Sequence, residues 1–234
     1  MAEKKPRKPK TFAPSLSGRC LRYTVMDLLG FGRHIAPEAL VAMHDGASLH
    51  KRFQQSLVDL YDVVGVEVPL KDPVLHVSGR IDAVLKEGDH QVAVEYKTVR
   101  DDKFAAVRVA GPFFDHWAQL ALYVNIGGYD AGRLVVENRE TNERLMWLQW
   151  PDVHWKSWLV QRINTAQTYQ EKRTLPPREV SLNCRHCDRW QRCFNSEAER
   201  EAAIAEHPLW EPHPAAPEII QEGDPVWRQR EDIQ

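Results

Sequence analysis

With 234 residues, 43% of them hydrophobic, and a net charge of −2, the chain is long enough to fill one hydrophobic core. Its apolar runs are all shorter than the ~18 residues of a membrane span. Residues 1–10 lack the apolar stretch of a signal peptide. Length and composition therefore exclude a membrane protein, and we expect a globular protein of the cytoplasm.

Charge divides the chain into three parts. Residues 1–10 carry five bases and one acid, and residues 195–234 carry three bases and ten acids, so the part between them is nearly neutral. We expect a basic disordered head over residues 1–16, a folded domain over 17–194 and an acidic, proline-containing tail over 195–234. A near-neutral body argues against coating of nucleic acid through bulk charge, so any contact with DNA is expected to be local.

The first half of the predicted domain contains a helix followed by two strands. Apolar side chains recur at helical spacing from residue 37 to 62, and His50 falls on or beside the buried face of this helix. A lone helical histidine can equally be a core residue. Apolar and polar residues alternate over 75–85 and again over 91–99, which predicts two half-buried strands. Gly88-Asp89 between them suits a two-residue hairpin turn.

Such a hairpin places two carboxylates face to face. Its register sets Asp82 opposite Glu95 and Arg80 opposite Lys97. Facing carboxylates lie ~5 Å apart and destabilise a sheet unless something intervenes. A bound magnesium or manganese ion would remove this repulsion. Lys97 can then orient or deprotonate a water, or stabilise negative charge on a phosphate. A surface hairpin whose carboxylates are paired by Arg80 and Lys97 explains the same pattern.

The second half of the domain repeats the alternation of helices and strands. Residues 115–126 show an apolar stripe at helical spacing, with Gln119 and Tyr123 one turn apart on a polar stripe beside it. That polar stripe can reach a common site or can be a solvated face. The remaining predicted elements are a strand pair over 133–137 and 145–150 and a helix over 153–169.

Four cysteines provide a metal-binding signal. Cys184, Cys187 and Cys193 form a C-x2-C-x5-C run, and Cys20 stands alone near the N-terminus. A cytoplasmic chain does not build disulfides from such cysteines, and thiolate sets select zinc or iron–sulfur clusters. With Cys20 as the fourth ligand, the site joins the two ends of the domain. The alternatives are a zinc site of three cysteines and a histidine such as His186, or unliganded buried thiols.

Together these residues carry a family resemblance. Gly46-x3-His50, Gly79-x2-Asp82, Glu95-x-Lys97 and Gln119-x3-Tyr123 resemble, in order and spacing, the motifs of the RecB-like branch of the PD-(D/E)XK nucleases. With the four cysteines, the chain is similar to the iron–sulfur members of that branch. These include the CRISPR-associated exonucleases of the adaptation module and the nuclease domain of AddAB-type helicase–nucleases. The resemblance spans residues 17–194.

The resemblance implies a fold, a site and two cofactors. The implied fold is mixed α/β, a restriction-endonuclease-like core sheet flanked by helices, with an iron–sulfur staple joining the N- and C-terminal segments. Mg²⁺ or Mn²⁺ would be held by His50, Asp82, Glu95 and the backbone carbonyl of Tyr96. Lys97 would be the catalytic lysine. The remaining implied residues are the substrate-contacting or supporting Gln119, Tyr123 and Arg80, and the [4Fe–4S] ligands Cys20, Cys184, Cys187 and Cys193.

The chain departs from the family pattern at two positions. Leu21 follows the first cysteine where the family often has proline, and Ile81 replaces the proline of the motif's name. The function implied is a metal-dependent DNA exonuclease acting on single-stranded ends, in CRISPR adaptation or recombination and repair, with an integrase complex or helicase as partner. The alternative is a DNA-end-binding scaffold subunit that does not cleave.

Overall fold

The computed structural model describes residues 10–33, 37–206 and 219–220. The predicted disordered head lies outside these residues up to residue 9, as does most of the tail beyond Glu206. No helix in the described part of the chain is long and apolar enough to cross a membrane. The helices are α1 (Leu21–Leu28), α2 (Pro37–Leu60), α3 (Asp101–Ala110), α4 (Phe114–Asn125), α5 (Val153–Lys172) and α6 (Glu197–Glu206).

The strands form one mixed sheet. They follow their chain order across it, and the β3–β4 pair is parallel whereas the neighbouring pairs are antiparallel. A parallel pair needs a crossover, which α3 and α4 supply between β3 and β4. The strands are β1 (Val63–Asp72), β2 (Val77–Glu87), β3 (His90–Val99), β4 (Ala131–Asn138), β5 (Arg144–Gln149) and β6 (Ile219–Ile220).

The predicted fold class is confirmed. The sheet is mixed, and its two sides carry separate hydrophobic clusters. One cluster contains Trp117 of α4 and Leu159 of α5, and the other contains Phe53 and Leu57 of α2. Helices therefore flank the sheet on both sides, as expected of an α/β fold.

The β2–β3 hairpin has the predicted register. Glu87 pairs with His90 and Ala83 with Val94, so Asp82 and Glu95 occupy the next positions along the two strands. The prediction that these strands are half-buried is wrong for β3, because residues 92–96 are all buried. Both faces of β3 are covered, since it lies beside the parallel crossover with helices on each side.

Strand β2 changes its buried face at Asp82. Ile81 packs in the cluster under α4, whereas Ala83 packs in the cluster under α2. Regular alternation would place both side chains on the same face. Glu67, which lies opposite Asp82 on β1, has a φ of 52°, a conformation that non-glycine residues rarely adopt. This local irregularity sits beside the predicted metal ligand, where strained backbone is often functional.

Both ends of the predicted domain extend further than the sequence indicates. Phe12 forms a bridge to Val77 and is buried, so this part of the segment 1–16, for which disorder is predicted, belongs to the fold. Helix α6 lies within the predicted tail, and Ile204 of this helix is buried. The helix ends before Pro208, so the helix-breaking prolines lie beyond it.

Replacing Gly18 with alanine is expected to destabilise the fold by about 1–3 kcal/mol, the usual cost of overpacking. An added Cβ would lie 2.2 Å from the Cα of Asp115, and neither backbone can yield easily. Urea unfolding of Gly18→Ala and Gly32→Ala measures the effect, because a Cβ at Gly32 meets nothing within 4 Å. Equal stability of the two variants would contradict this packing.

Candidate active site

Helix α2 and strands β2 and β3 meet at Asp82. One carboxylate oxygen of Asp82, Oδ2, accepts a 2.8 Å hydrogen bond from the backbone N–H of Tyr96. The other, Oδ1, lies 3.7 Å from Nδ1 of His50. The ring of His50 packs edge-on against the ring of Tyr96, with 4.9 Å between centroids. The fold thus brings together three of the residues for which the resemblance implies a shared metal ion.

Glu95 is the buried carboxylate of the site. Its side chain is only 1% exposed, and its Oε1 forms an ion pair with the ammonium of Lys97. Its Oε2 is buried and accepts no hydrogen bond of normal geometry, although the hydroxyl of Tyr123 is close enough to the carboxylate to hold the pKa of Glu95 down. A buried carboxylate oxygen without a normal hydrogen bond is costly, and a bound cation would satisfy it.

Burial shapes the pKa of every titratable group in the site. It raises the pKa of Asp82 to about 6, against the hydrogen bond from Tyr96. It raises the pKa of Glu95 to about 7, against the attraction of Lys97 and with the help of Asp82. It lowers the pKa of His50, as does Lys97. Burial would also lower the pKa of Lys97, but the nearby carboxylates outweigh it, so this pKa is raised and the ammonium is retained.

Gln119 and Tyr123 lie one turn apart on α4, and their side chains contact each other. The amide of Gln119 donates a 2.7 Å hydrogen bond to the hydroxyl of Tyr123, which in turn donates a 2.9 Å bond to the backbone carbonyl of Arg80. Tyr123 is fully buried. This chain of hydrogen bonds connects α4 to β2 two residues before Asp82, which favours a supporting role for the pair.

Arg80 points away from the position that the hairpin register suggested. Its side chain is 72% exposed and lies 3.7 Å from a carboxylate oxygen of Glu67. The interpretation in which Arg80 and Lys97 each pair a carboxylate therefore fails for Arg80, because Asp82 is bonded to Tyr96 instead. The change of buried face in β2 at Asp82 accounts for the difference.

Two polar residues at the start of α4, Asp115 and His116, lie beside Lys97. Asp115 at the start of α4 lies 3.3 Å from Nη2 of Arg19, and its charge acts on Lys97. Burial, assisted by Lys97, lowers the pKa of the neighbouring His116 to about 4, so that imidazole is neutral at physiological pH. The spacing of the sequence places His116 on the same polar stripe as Gln119 and Tyr123. The contact with Arg19 joins residues almost a hundred positions apart, and no local pattern could reveal it.

The four cysteines line a single cavity. Cys20 caps the N-terminus of α1, and Cys184, Cys187 and Cys193 come from two short 3-10 helices, Leu182–His186 and Trp190–Arg192, and the residues that follow them. Burial raises the pKa of Cys20 to about 12, and Cys184 and Cys187 add to the shift. His186 is exposed and does not line the cavity. The convergence of all four thiols fits a four-cysteine site better than one that uses His186.

Three arginines surround the cysteine cavity. Arg22, Arg178 and Arg189 contribute to its lining. The Nε atoms of Arg22 and Arg189 are buried without a hydrogen-bond partner. Cationic side chains with free donors suit an anionic group held by thiolates, and a four-thiolate iron–sulfur centre is such a group. The residues present therefore fit the implied cluster.

Neither the active site nor the cysteine cavity has a full set of metal ligands already in place in the part of the chain that the structure describes. Among the described residues, no three His, Cys, Asp or Glu side chains already form a metal-binding group. At the active site, the fit to a divalent ion rests on donor chemistry: carboxylate and imidazole groups, with one carboxylate oxygen that accepts no hydrogen bond of normal geometry.

Comparison with known proteins finds relatives by structure alone. No protein-family model matches the sequence, and no curated protein matches it. The fold resembles the crystal structure of SSO0001, with a TM-score of 0.55 at 17% identity over 83% of this chain and 89% of that one. It also resembles an alkaline exonuclease, LHK-Exo, from Laribacter hongkongensis, with a TM-score of 0.54 at 12% identity over 70% of this chain and 89% of that one.

A second structure of the same exonuclease, in complex with dAMP, matches with a TM-score of 0.54 at 13% identity, again over 70% of this chain and 89% of that one. At such low identities the similarity shows the fold alone. The class defined in this way is a mixed α/β fold shared with an alkaline exonuclease.

Proposed function

We propose that this protein is a metal-dependent DNA exonuclease. The observation that carries the proposal is the buried Oε2 of Glu95, which accepts no hydrogen bond of normal geometry and lies in a site with Asp82, His50 and Lys97. A site that has lost its activity has no physical need for the buried carboxylate of Glu95 beside the partly buried carboxylate of Asp82, both with raised pKa values. The similarity of the fold to an alkaline exonuclease, one structure of which contains dAMP, supports the same activity.

The proposed metal ligands are His50, Asp82, Glu95 and the backbone carbonyl of Tyr96. A bound Mg²⁺ or Mn²⁺ would lower the pKa of water and offset charge that develops on the phosphate during hydrolysis. Burial keeps His50 neutral near physiological pH, and a neutral imidazole is the form that can bind a metal. Tyr96 holds Asp82 in place through its backbone N–H, which leaves Oδ1 of Asp82 facing His50.

Lys97 would act on the substrate. About a quarter of the Lys97 side chain is exposed, whereas its partner Glu95 is buried, so the side chain that pairs with Glu95 also reaches solvent. A cation in that position can steady the negative charge of a phosphodiester or orient the attacking water. Gln119 and Tyr123 would hold β2 through the Arg80 carbonyl, so that Asp82 keeps its orientation.

We further propose that Cys20, Cys184, Cys187 and Cys193 hold a [4Fe–4S] cluster. The convergence of the four thiols among cationic side chains supports it. The cluster would connect α1 with the segment that follows α5, and hence act as a staple. The four-cysteine resemblance also favours single-stranded ends as substrate and an integrase complex or a helicase as partner, in CRISPR adaptation or in recombination and repair.

The proposed function is tested with end-labelled linear single-stranded DNA and its circular form, with Mn²⁺, with Mg²⁺ and with a chelator. We expect degradation of the linear strand only, dependent on the metal, and absent in Asp82→Asn. A protein that binds DNA ends but leaves every substrate intact would instead support the scaffold function. Separate 5′ and 3′ labels give the polarity.

Metal affinity is expected to rise with pH. A proton competes with the metal at Asp82 and Glu95, whose pKa values are about 6 and about 7. Between pH 6 and pH 8, ionisation of Glu95 alone predicts a roughly tenfold gain in Mn²⁺ affinity. Titrations of Mn²⁺ monitored by electron paramagnetic resonance (EPR) measure the gain, and Glu95→Gln is expected to lose most of it. An affinity that is independent of pH in the wild type would contradict the site.

The stability of the metal-free protein is expected to fall as the pH rises, whereas the metal affinity rises. A carboxyl group whose pKa is higher in the folded than in the unfolded chain stabilises the fold at low pH. For Glu95, that contribution is lost as the pH rises from about 4.5 through about 7. Added Mn²⁺ should therefore raise the melting temperature more at pH 8 than at pH 6.

A further inference from the structure

A charged cluster lies behind the proposed metal site, on the side of the sheet that α2 covers. Its centre is Glu137 of β4, whose side chain is completely buried. Arg144 of β5, directly opposite Glu137 across the strand pair, donates a 2.7 Å hydrogen bond from Nε to Oε2. Arg52 of α2 donates to Oε1 of Glu137 and, at 2.9 Å, to the side-chain oxygen of Asn142.

The charge of Glu137 does not need Arg52 to neutralise it. The guanidinium of Arg144 already pairs with the buried carboxylate, and both residues belong to adjacent strands. Arg52 is half exposed and belongs to a different element, the helix that carries His50 two residues earlier. What Arg52 adds is a directional, charge-assisted bond between α2 and the rigid centre of the sheet.

The aromatic contacts of α2 do not by themselves fix the position of the helix on the sheet. Phe53 stacks on Tyr96 with 4.1 Å between centroids and an interplanar angle of 9°. A flat stack resists separation but opposes sliding in its own plane only weakly. His50 meets the same ring edge-on and has to stay 3.7 Å from Asp82. A tie two residues away from His50 restricts both the sliding and the rotation of the helix.

We propose that Arg52 and Glu137 are positioning residues that hold α2 in the orientation that brings His50 to Asp82 and Tyr96. The consequence for metal binding rests on the function proposed above, whereas the consequence for the position of His50 does not. Groups that orient a metal ligand typically change metal affinity about 10–100-fold when they are removed.

The first test needs no metal. We expect the imidazole resonances of His50 in metal-free Arg52→Ala to move away from their wild-type positions, because the ring leaves the shielding field of Tyr96. The resonances of His76, which is exposed, provide the internal reference. Arg108→Ala is the matched control, since it removes the same charge from a surface ion pair with Glu143. Unchanged His50 resonances in Arg52→Ala would overturn the proposal.

The second test asks whether Arg52 acts through His50. We expect Arg52→Ala to weaken Mn²⁺ binding about tenfold in the wild type, and less than twofold in a His50→Ala background. Arg52→Lys should recover part of the affinity. Equal losses in both backgrounds would mean that Arg52 acts on the metal by another route, and would overturn the positioning role.

A third variant tests whether the effect of Arg52→Ala comes from a general loss of structure. Asn142→Gly removes one partner of Arg52 without leaving a buried charge, and glycine tolerates the φ of 60° at this position. We expect a smaller shift of the His50 resonances in the same direction. A wild-type protein that neither binds Mn²⁺ nor cleaves DNA would refute the proposed function, while the His50 resonances would still decide the positioning role.

Discussion

Lys97→Met is expected to reduce DNA cleavage by roughly 10²–10⁴-fold, the range for losing a group that transfers a proton or stabilises developing charge. The methionine side chain occupies similar space but cannot steady charge on a phosphate. Losing the ammonium also removes the attraction that opposes the raised pKa of Glu95. More of the Glu95 carboxyl is then protonated at neutral pH, and metal binding weakens as well.

The cleavage rate is measured at saturating Mn²⁺ at pH 7 and again at pH 8.5. The higher pH should restore metal binding in Lys97→Met but not the cleavage rate, which separates the two effects. Lys86→Met is the matched control, because Lys86 lies on the same hairpin and its side chain is exposed. Cleavage by Lys97→Met within a few-fold of the control would show that Lys97 is not catalytic.

Cys20→Ser is expected to cost the protein its cluster and about 5 kcal/mol of stability. Cys20 is the one cysteine from the N-terminal segment, and the proposed cluster would link it to Cys184 and so close a loop of over 160 residues. The chain-entropy model for cross-links gives about 5 kcal/mol for a loop of that length. Serine preserves the helix cap, in which Cys20 accepts a hydrogen bond from the backbone N–H of Tyr23, so the loss reports ligation.

Iron, sulfide and zinc analysis of protein purified under nitrogen, followed by urea unfolding, provides the measurement. Wild-type protein should contain iron and sulfide and show broad visible absorption, which Cys20→Ser should lose. Stoichiometric zinc in place of iron would refute the iron–sulfur cluster but would retain the proposal that a metal site links the two segments. Unchanged metal content and stability in Cys20→Ser would show that Cys20 is not a ligand of the site.

Local sequence was sufficient for the hairpin and its register. Gly88-Asp89 sets the turn, and the side-chain period of two then leaves one pairing in which Asp82 and Glu95 are adjacent across the strands. The helix that carries His50 and the later strand pair were also predictable, because each has a clear periodicity. Helix α3 was missed because its apolar spacing is weak, and strand β1 was missed although Val64, Val66, Val68 and Leu70 alternate with other residues along it.

Burial of the site was not predictable from the same patterns. The sequence around Glu95 indicates a strand with one polar face, and only the packing of α4 on that face makes the carboxylate inaccessible. That burial raises the pKa of Glu95 and leaves its Oε2 without a hydrogen bond of normal geometry. Likewise, the ties from Arg52 to Glu137 and from Arg19 to Asp115 span 85 or more positions, and no local signal marks them.

The sequence by itself determined the candidate ligands and their order: the carboxylates of one hairpin, the histidine of the preceding helix and the four cysteines. These follow from residue chemistry and short-range spacing, which the chain carries without folding. Only the tertiary structure decided which of them meet, which are buried and which side chains hold them in place. Those properties depend on contacts between distant segments, and such contacts form only when the sheet and its flanking helices exclude water.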